Sequence, residues 1–406
     1  MSFSLLLLAC AGTSPAPSAP PERTVEAAPT ATTVASEGTE VDLDKAQAFF
    51  QTRPEYERPL GVGLQPVPGL ADLSAQTCGA CHTEIYDEGK VSTHAAAWSD
   101  PQLQAEMQKS ENRWLCRNCH TPLLVAHEQW PVGLTGEDVE APILVDNVAF
   151  DAQLQSEGIT CAACHVREGT IVGPGLSDSI APHPVQADPE FTSEAVCTRC
   201  HQAVATYEGK GFICTFNTGN EWKEGPYEDE GKNCISCHMP TEERPAALGG
   251  PDRTVAQHWW RGAGIPKQPG VHPPEEANPP GLDLTATWGE SLSLTATNAN
   301  AGHMLPTGDP ERWVQLDVTF LDAEGATAGT WQSRIGQTWE WSPLPKKLDD
   351  NRLAPREARV LDVPIPEGAV SASVTASSHR MTPETVEYHH LGDYPISVVT
   401  HTLTVP

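Results

Sequence analysis

Five short segments repeat one order of reactive side chains: Cys78-Gly79-Ala80-Cys81-His82, Cys116-Arg117-Asn118-Cys119-His120, Cys161-Ala162-Ala163-Cys164-His165, Cys197-Thr198-Arg199-Cys200-His201 and Cys234-Ile235-Ser236-Cys237-His238. Two thiols three positions apart, followed at once by a histidine, suit covalent attachment of a c-type haem. The thiols add to the two vinyl groups, and the imidazole becomes the proximal ligand of the iron. Cys-x-x-Cys pairs also serve zinc sites and disulfide frameworks. The histidine decides between these chemistries, because only 15 of 406 residues are His and its chance appearance behind all five pairs is on the order of 10⁻⁷. Zinc ribbons use such units two at a time, so an odd count also speaks against them. The expectation is five covalently bound haem c groups, with His82, His120, His165, His201 and His238 as proximal ligands.

An iron held by one histidine takes a sixth ligand or keeps an open face, and that choice separates electron carriers from enzymes. Ten histidines lie outside the motifs. Four stand out by context as distal ligands. His94 follows His82 by twelve residues on an expected helix. His183 sits between Pro182 and Pro184, where the backbone is held extended; His258 precedes Trp259 and Trp260; His303 lies in the turn-like Gly302–Gly308. His127 and His272 compete for the fifth place. His379, His389, His390 and His401 read as ordinary histidines of a strand-rich region. Internal methionines are few, and Met239 directly follows a proximal histidine, so it cannot reach the opposite face of the same ring. Bis-histidine ligation is therefore favoured.

The elements that must position these groups divide the chain. Residues 1–10 read as a lipoprotein-type signal ending in Leu7-Leu8-Ala9-Cys10, with Cys10 as the lipidated residue; residues 11–40, rich in Ala, Pro, Ser and Thr, read as a flexible tether. A lead-in over 41–71 holds a short helix near Val41–Phe50 and then closely spaced prolines. The motifs fill a pentahaem domain at 72–267, mostly irregular and α, with helices expected over Thr83–Trp98 and Pro101–Trp114. A Pro-rich linker follows at 268–280. Residues 281–406 alternate apolar and polar side chains over Leu282–Thr287, Ser291–Thr297, Trp313–Leu321, Val360–Ile365, Val370–Ala376 and Ile396–Val405, the pattern of an all-β, immunoglobulin-like sandwich.

Composition agrees with that division. Hydrophobic residues are 39 % of the chain, against 37 prolines and 32 glycines, too thin a core for the motif region unless porphyrins supply the buried apolar surface. Ten of the 12 cysteines belong to the motifs, leaving Cys10 and Cys214 and no disulfide framework. Haem attachment of this kind takes place outside the bacterial cytoplasm, so the expected location is periplasmic or at the outer membrane or cell surface, with the membrane reached only through a lipid on Cys10. The net charge of −29 disfavours nucleic acid and anionic surfaces as partners and leaves redox proteins.

The motif region resembles the multihaem cytochromes of the cytochrome c-554 type. The residues carrying the resemblance are Cys78–His82 with Ser92-Thr93-His94, Gly158-Ile159-Thr160 running into Cys161–His165 with Pro182-His183-Pro184, and Cys234–His238 with Met239-Pro240. Gly302-His303 to Gly308, then Pro310 and Arg312, looks like the C-terminal module often joined to such proteins. The resemblance implies closely spaced haems in stacked pairs, mostly bis-histidine, that pass electrons between redox partners. Five motifs stand where four are usual, and the sandwich is an addition. The alternative expectation is an oxidoreductase acting on a small nitrogen or sulfur compound at one five-coordinate haem. A third is a subunit that polymerises or docks through its strand edges.

Overall fold

The computed structural model describes residues 37–60, 65–109, 113–175, 181–207, 211–260, 262–274, 279–341 and 343–406. Cys10 and most of the expected tether lie outside them. The first described element is a helix, Glu37–Gln51, which begins inside the stretch assigned to the tether. Ala46 and Phe50 bury one of its faces against Trp114, Leu115 and Trp130.

Between residues 65 and 274 the regular structure described comes in helices of one or two turns and two- or three-stranded ribbons. The motifs themselves form or join short helices: Ala75–Gly79, Arg113–His120, Cys161–His165, Ala195–His201 and Cys234–His238. Polar caps start two of them. Ser74 accepts from the Thr77 N–H, and Asn233 and Ser236 form a reciprocal capping box.

The expected helix over Thr83–Trp98 stops at Gly89, and His94 lies in a run of turns. The backbone there is used by another segment: Ile159 N–H donates to His94 O at 3.1 Å, and Gly158, at φ +63°, packs where any Cβ would meet the backbone of His94, Ala97 and Trp98. The second expected helix is likewise two, Pro101–Met107 and Arg113–His120.

From residue 279 eight strands are described: β1 Leu282–Trp288, β2 Ser291–Asn298, β3 Trp313–Leu321, β4 Thr327–Glu340, β5 Lys346–Asp350, β6 Ala358–Pro364, β7 Ser371–His379 and β8 Ser397–Val405. They pair antiparallel in the orders β1-β2-β6 and β5-β4-β3-β7-β8. One apolar core lies between the two sheets, with Leu292, Leu294, Leu316, Phe320, Val363 and Val374 almost wholly buried. Strict alternation along β2 and β3 puts these residues on one face.

Strands β4 and β5 are absent from the expected set. β4 carries Gly329 where Pro366 approaches and Gly336 where Trp313 approaches, and it stays exposed over much of its length, so its apolar alternation is weak.

This β region is joined to the motif region through polar contacts. Arg352 pairs with Glu221 at 2.7 Å, Thr307 with Thr218 at 2.9 Å, and Tyr394 donates to Asp100 at 2.6 Å. The expected linker contributes Gln268, which donates to Ser99 Oγ at 2.9 Å. No helix among the described residues is long and apolar enough to cross a membrane.

Candidate haem-binding site

Three pairs of imidazoles face each other at one separation. The ring centres of His94 and His201 lie 6.2 Å apart, those of His165 and His258 6.2 Å, and those of His238 and His303 6.3 Å. Each pair joins one motif histidine to one histidine expected as a distal ligand. A metal–imidazole bond of about 2.0 Å and roughly 1.1 Å from nitrogen to ring centre put two trans imidazoles about 6.2 Å apart. The spacing fits one iron, which the two imidazoles of a pair would hold. The residues present fit haem.

In five of these histidines the second nitrogen shows how the first is aimed. Nδ1 of His82 bonds Ala246 O at 2.6 Å, that of His120 Ala97 O at 2.9 Å, that of His165 Val172 O at 2.9 Å, that of His258 Ala256 O at 2.9 Å and that of His303 Met304 O at 2.9 Å. A carbonyl only accepts, so Nδ1 carries the proton and Nε2 keeps its lone pair for a metal. Burial pushes the pKa of His94 down to about 3 and those of His201, His258 and His303 down to about 4, so these rings are neutral. His201 is exposed by surface area yet strongly desolvated, which is how a side chain lining an internal cleft behaves.

His127 is built the opposite way. It is 1 % exposed and its Nε2 bonds Thr121 O at 2.8 Å, turning the metal-binding nitrogen onto a carbonyl. Its expectation as a distal ligand gives way to a packing role, with the pKa lowered to about 4 by burial. His272 is exposed, with Nδ1 on its neighbour's carbonyl, Pro273 O. His183 lies beside Gly69, just ahead of the first motif, and its Nδ1 is buried without a partner. Among the described residues neither His82 nor His120 has a second imidazole at the 6.2 Å spacing.

The ten motif thiols are free, and several from different motifs touch. Cys78 hydrogen-bonds Cys161, Cys119 hydrogen-bonds Cys200, and Cys197 hydrogen-bonds Cys234. These contacts join the first motif to the third, the second to the fourth and the fourth to the fifth. Burial pushes the Cys116 and Cys164 thiols up to about 11. Cys214 lies on a strand, Gly211–Asn217, paired with Gln202–Tyr207.

Supporting contacts invisible from spacing surround these rings. Glu88 accepts the His258 N–H at 2.7 Å and is itself held by Arg244 at 2.7 Å; Trp260 packs edge-on against both His94 and His258. Buried Asn298, at the end of β2, donates to His303 O at 2.8 Å.

One solved structure superposes on most of the chain. The penta-heme cytochrome c552 from Thermochromatium tepidum superposes with a TM-score of 0.57 at 21 % identity, over 82 % of this chain and 98 % of that one. The two share a fold. No family model matches the chain, and no curated protein matches it.

Proposed function

We propose that the chain is an exported pentahaem c-type cytochrome that transfers electrons between redox partners through mostly bis-histidine, low-spin haems. The observation that carries this is the recurrence of the iron-spanning separation in the pairs 94/201, 258/165 and 303/238. The haems are attached through Cys78/Cys81, Cys116/Cys119, Cys161/Cys164, Cys197/Cys200 and Cys234/Cys237. His183 is assigned to the His82 iron as the expected distal histidine left over by the three pairs; its segment packs beside Gly69, ahead of the first motif in the chain, and Ile171 N–H bonds the adjoining Pro184 O. The fold shared with a penta-heme cytochrome supports the cofactor and its number.

Each ring supplies reversible one-electron chemistry, and the chain's task is to hold ligands, exclude water and bring ring edges close. Touching thiols of neighbouring motifs support an order in which the first and third, the second and fourth, and the fourth and fifth haems adjoin. No acid, base or nucleophile is needed for such transfer. Export, lipidation at Cys10 and the immunoglobulin-like character of the β region belong to the same proposal. Intact mass of protein matured in a haem-attaching host should show five haems on one chain, and low-temperature magnetic resonance should show low-spin iron predominating. A protein carrying no haem, or one dominated by high-spin iron, sinks the reading.

The second reading, an oxidoreductase with one open iron, is favoured by a specific observation: His120 has no imidazole opposite it among the described residues. One high-spin signal that disappears on adding cyanide supports it.

A further inference from the structure

We propose that Glu88 holds down the reduction potential of the haem shared by His165 and His258. The inference deepens the proposed function and rests on its assignment of those two histidines to one iron. Glu88 lies in the last turn of the helix Thr83–Gly89, which starts directly after His82 of the first motif. It is 4 % exposed. Its Oε2 accepts the His258 N–H at 2.7 Å and lies 4.0 Å from His258 Nδ1, whose proton goes to Ala256 O. A buried carboxyl group thus rests against the ring that faces His165.

The compensation Glu88 receives is shared. Arg244 brings Nη2 to 2.7 Å from Glu88 Oε1 without making a hydrogen bond there, and its Nη1 lies 2.9 Å from Glu242 and 3.3 Å from Glu84. Three carboxylates therefore divide one guanidinium. The Glu84 and Glu242 side chains are 67 % and 42 % exposed, so water screens them. The negative charge in a poorly solvated place is that of Glu88, where a charge acts over a longer range than at the surface. The group is also fixed in position. Ala246, two residues after Arg244, accepts from His82 Nδ1 at 2.6 Å, and Leu248 N–H donates to Cys81 O at 2.9 Å, which pins the arginine's segment to the first motif.

The sign of the effect follows from charge. A haem iron between two neutral imidazoles carries one more positive charge oxidised than reduced. A fixed negative charge beside one of its ligands favours the oxidised form, and groups bonded behind a ligand ring are among the levers that set haem potentials. The His165/His258 haem accordingly gives up its electron more readily than it would with a neutral residue at position 88.

Full-length protein and the variants Glu88→Gln, Glu88→Asp, Glu242→Gln and His258→Ala are matured with haem, and haems are counted by mass before optical and magnetic-resonance redox titration. Glu88→Gln keeps an oxygen for the His258 N–H and removes the charge. One low-spin reduction step should rise by about 59 mV or more, a tenfold change in a one-electron equilibrium. Glu88→Asp keeps the charge and should stay near the wild-type value, which a purely structural role of the longer side chain would not allow. Glu242→Gln, at the exposed end of the same guanidinium, should move that step upward by less, and it serves as the test should Glu88→Gln lose a haem. Charge-removing variants that carry five haems with wild-type reduction steps overturn the proposal, as does an equal shift in Glu88→Asp. His258→Ala should turn one iron high-spin; if every iron stays low-spin, what falls is instead the assignment of His258 on which the proposal rests.

Discussion

The two halves of the molecule are held by different means. In residues 282–405 one continuous apolar core, from Leu282 to Val405, joins two antiparallel sheets, and each strand pair completes its own backbone hydrogen bonds. In the motif region the apolar side chains gather into two small clusters, one around Leu123, Leu154 and Val166 and one around Phe50, Trp114 and Trp130, and helices last one or two turns. The imidazoles of three histidine pairs there face one another at 6.2–6.3 Å. The expectation is that the motif region folds around bound cofactors, whereas the β region has a core of its own.

The largest test of this difference is expression without haem attachment. The motif region should then fail to fold and be cut by protease within residues 65–274, while the β region keeps its circular-dichroism signal; a haem-free chain resistant throughout would contradict the contrast. Next comes Phe320→Ala, which removes a wholly buried ring from the β core. It should cost about 3–5 kcal/mol in denaturant unfolding and leave the haem spectrum of the folded protein unchanged.

Acid should discriminate in the opposite direction. His127 is neutral in the fold, with its pKa pushed down to about 4 by burial, against about 6.5 in an unfolded chain. The unfolded state therefore takes up a proton first. Stability from this group is complete above about pH 6.5 and falls between about 6.5 and 4, by roughly 3 kcal/mol at most. Urea midpoints of the motif region at several pH values check it, and His127→Gln should flatten that slope. The smallest effect is expected where the halves meet. Asn298→Ala should cost about 1–3 kcal/mol by releasing His303 O, Leu353 O and the Ala301 N–H, and should raise the high-spin fraction of the His238 iron; an unchanged spin state would show that β2 does not position His303.

The motif segments are legible in the sequence because the attachment chemistry they suit is local: two thiols and an imidazole must lie within one turn, whatever surrounds them. Six strands were legible too, since a one-sided apolar core imposes a period of two on Leu292, Leu294 and Ala296 or on Leu316, Val318 and Phe320. β4 was missed because its glycines answer to Pro366 and Trp313, partners distant in the chain. The turns around His94 were read as helix because the bond that replaces helix there comes from Ile159.

By itself the sequence determined the five Cys-x-x-Cys-His segments, the attachment chemistry they suit and the alternation that makes the β region, since each depends on residues within a few positions of one another. Only the tertiary structure decided which histidines face one another, that His127 turns its Nε2 to Thr121, and that Glu88, Arg244 and His258 lie together. The physical reason is the same in each case. Which nitrogen points where, and which charges share a poorly solvated space, depends on how separate segments pack, and neither leaves a period or a spacing along the chain.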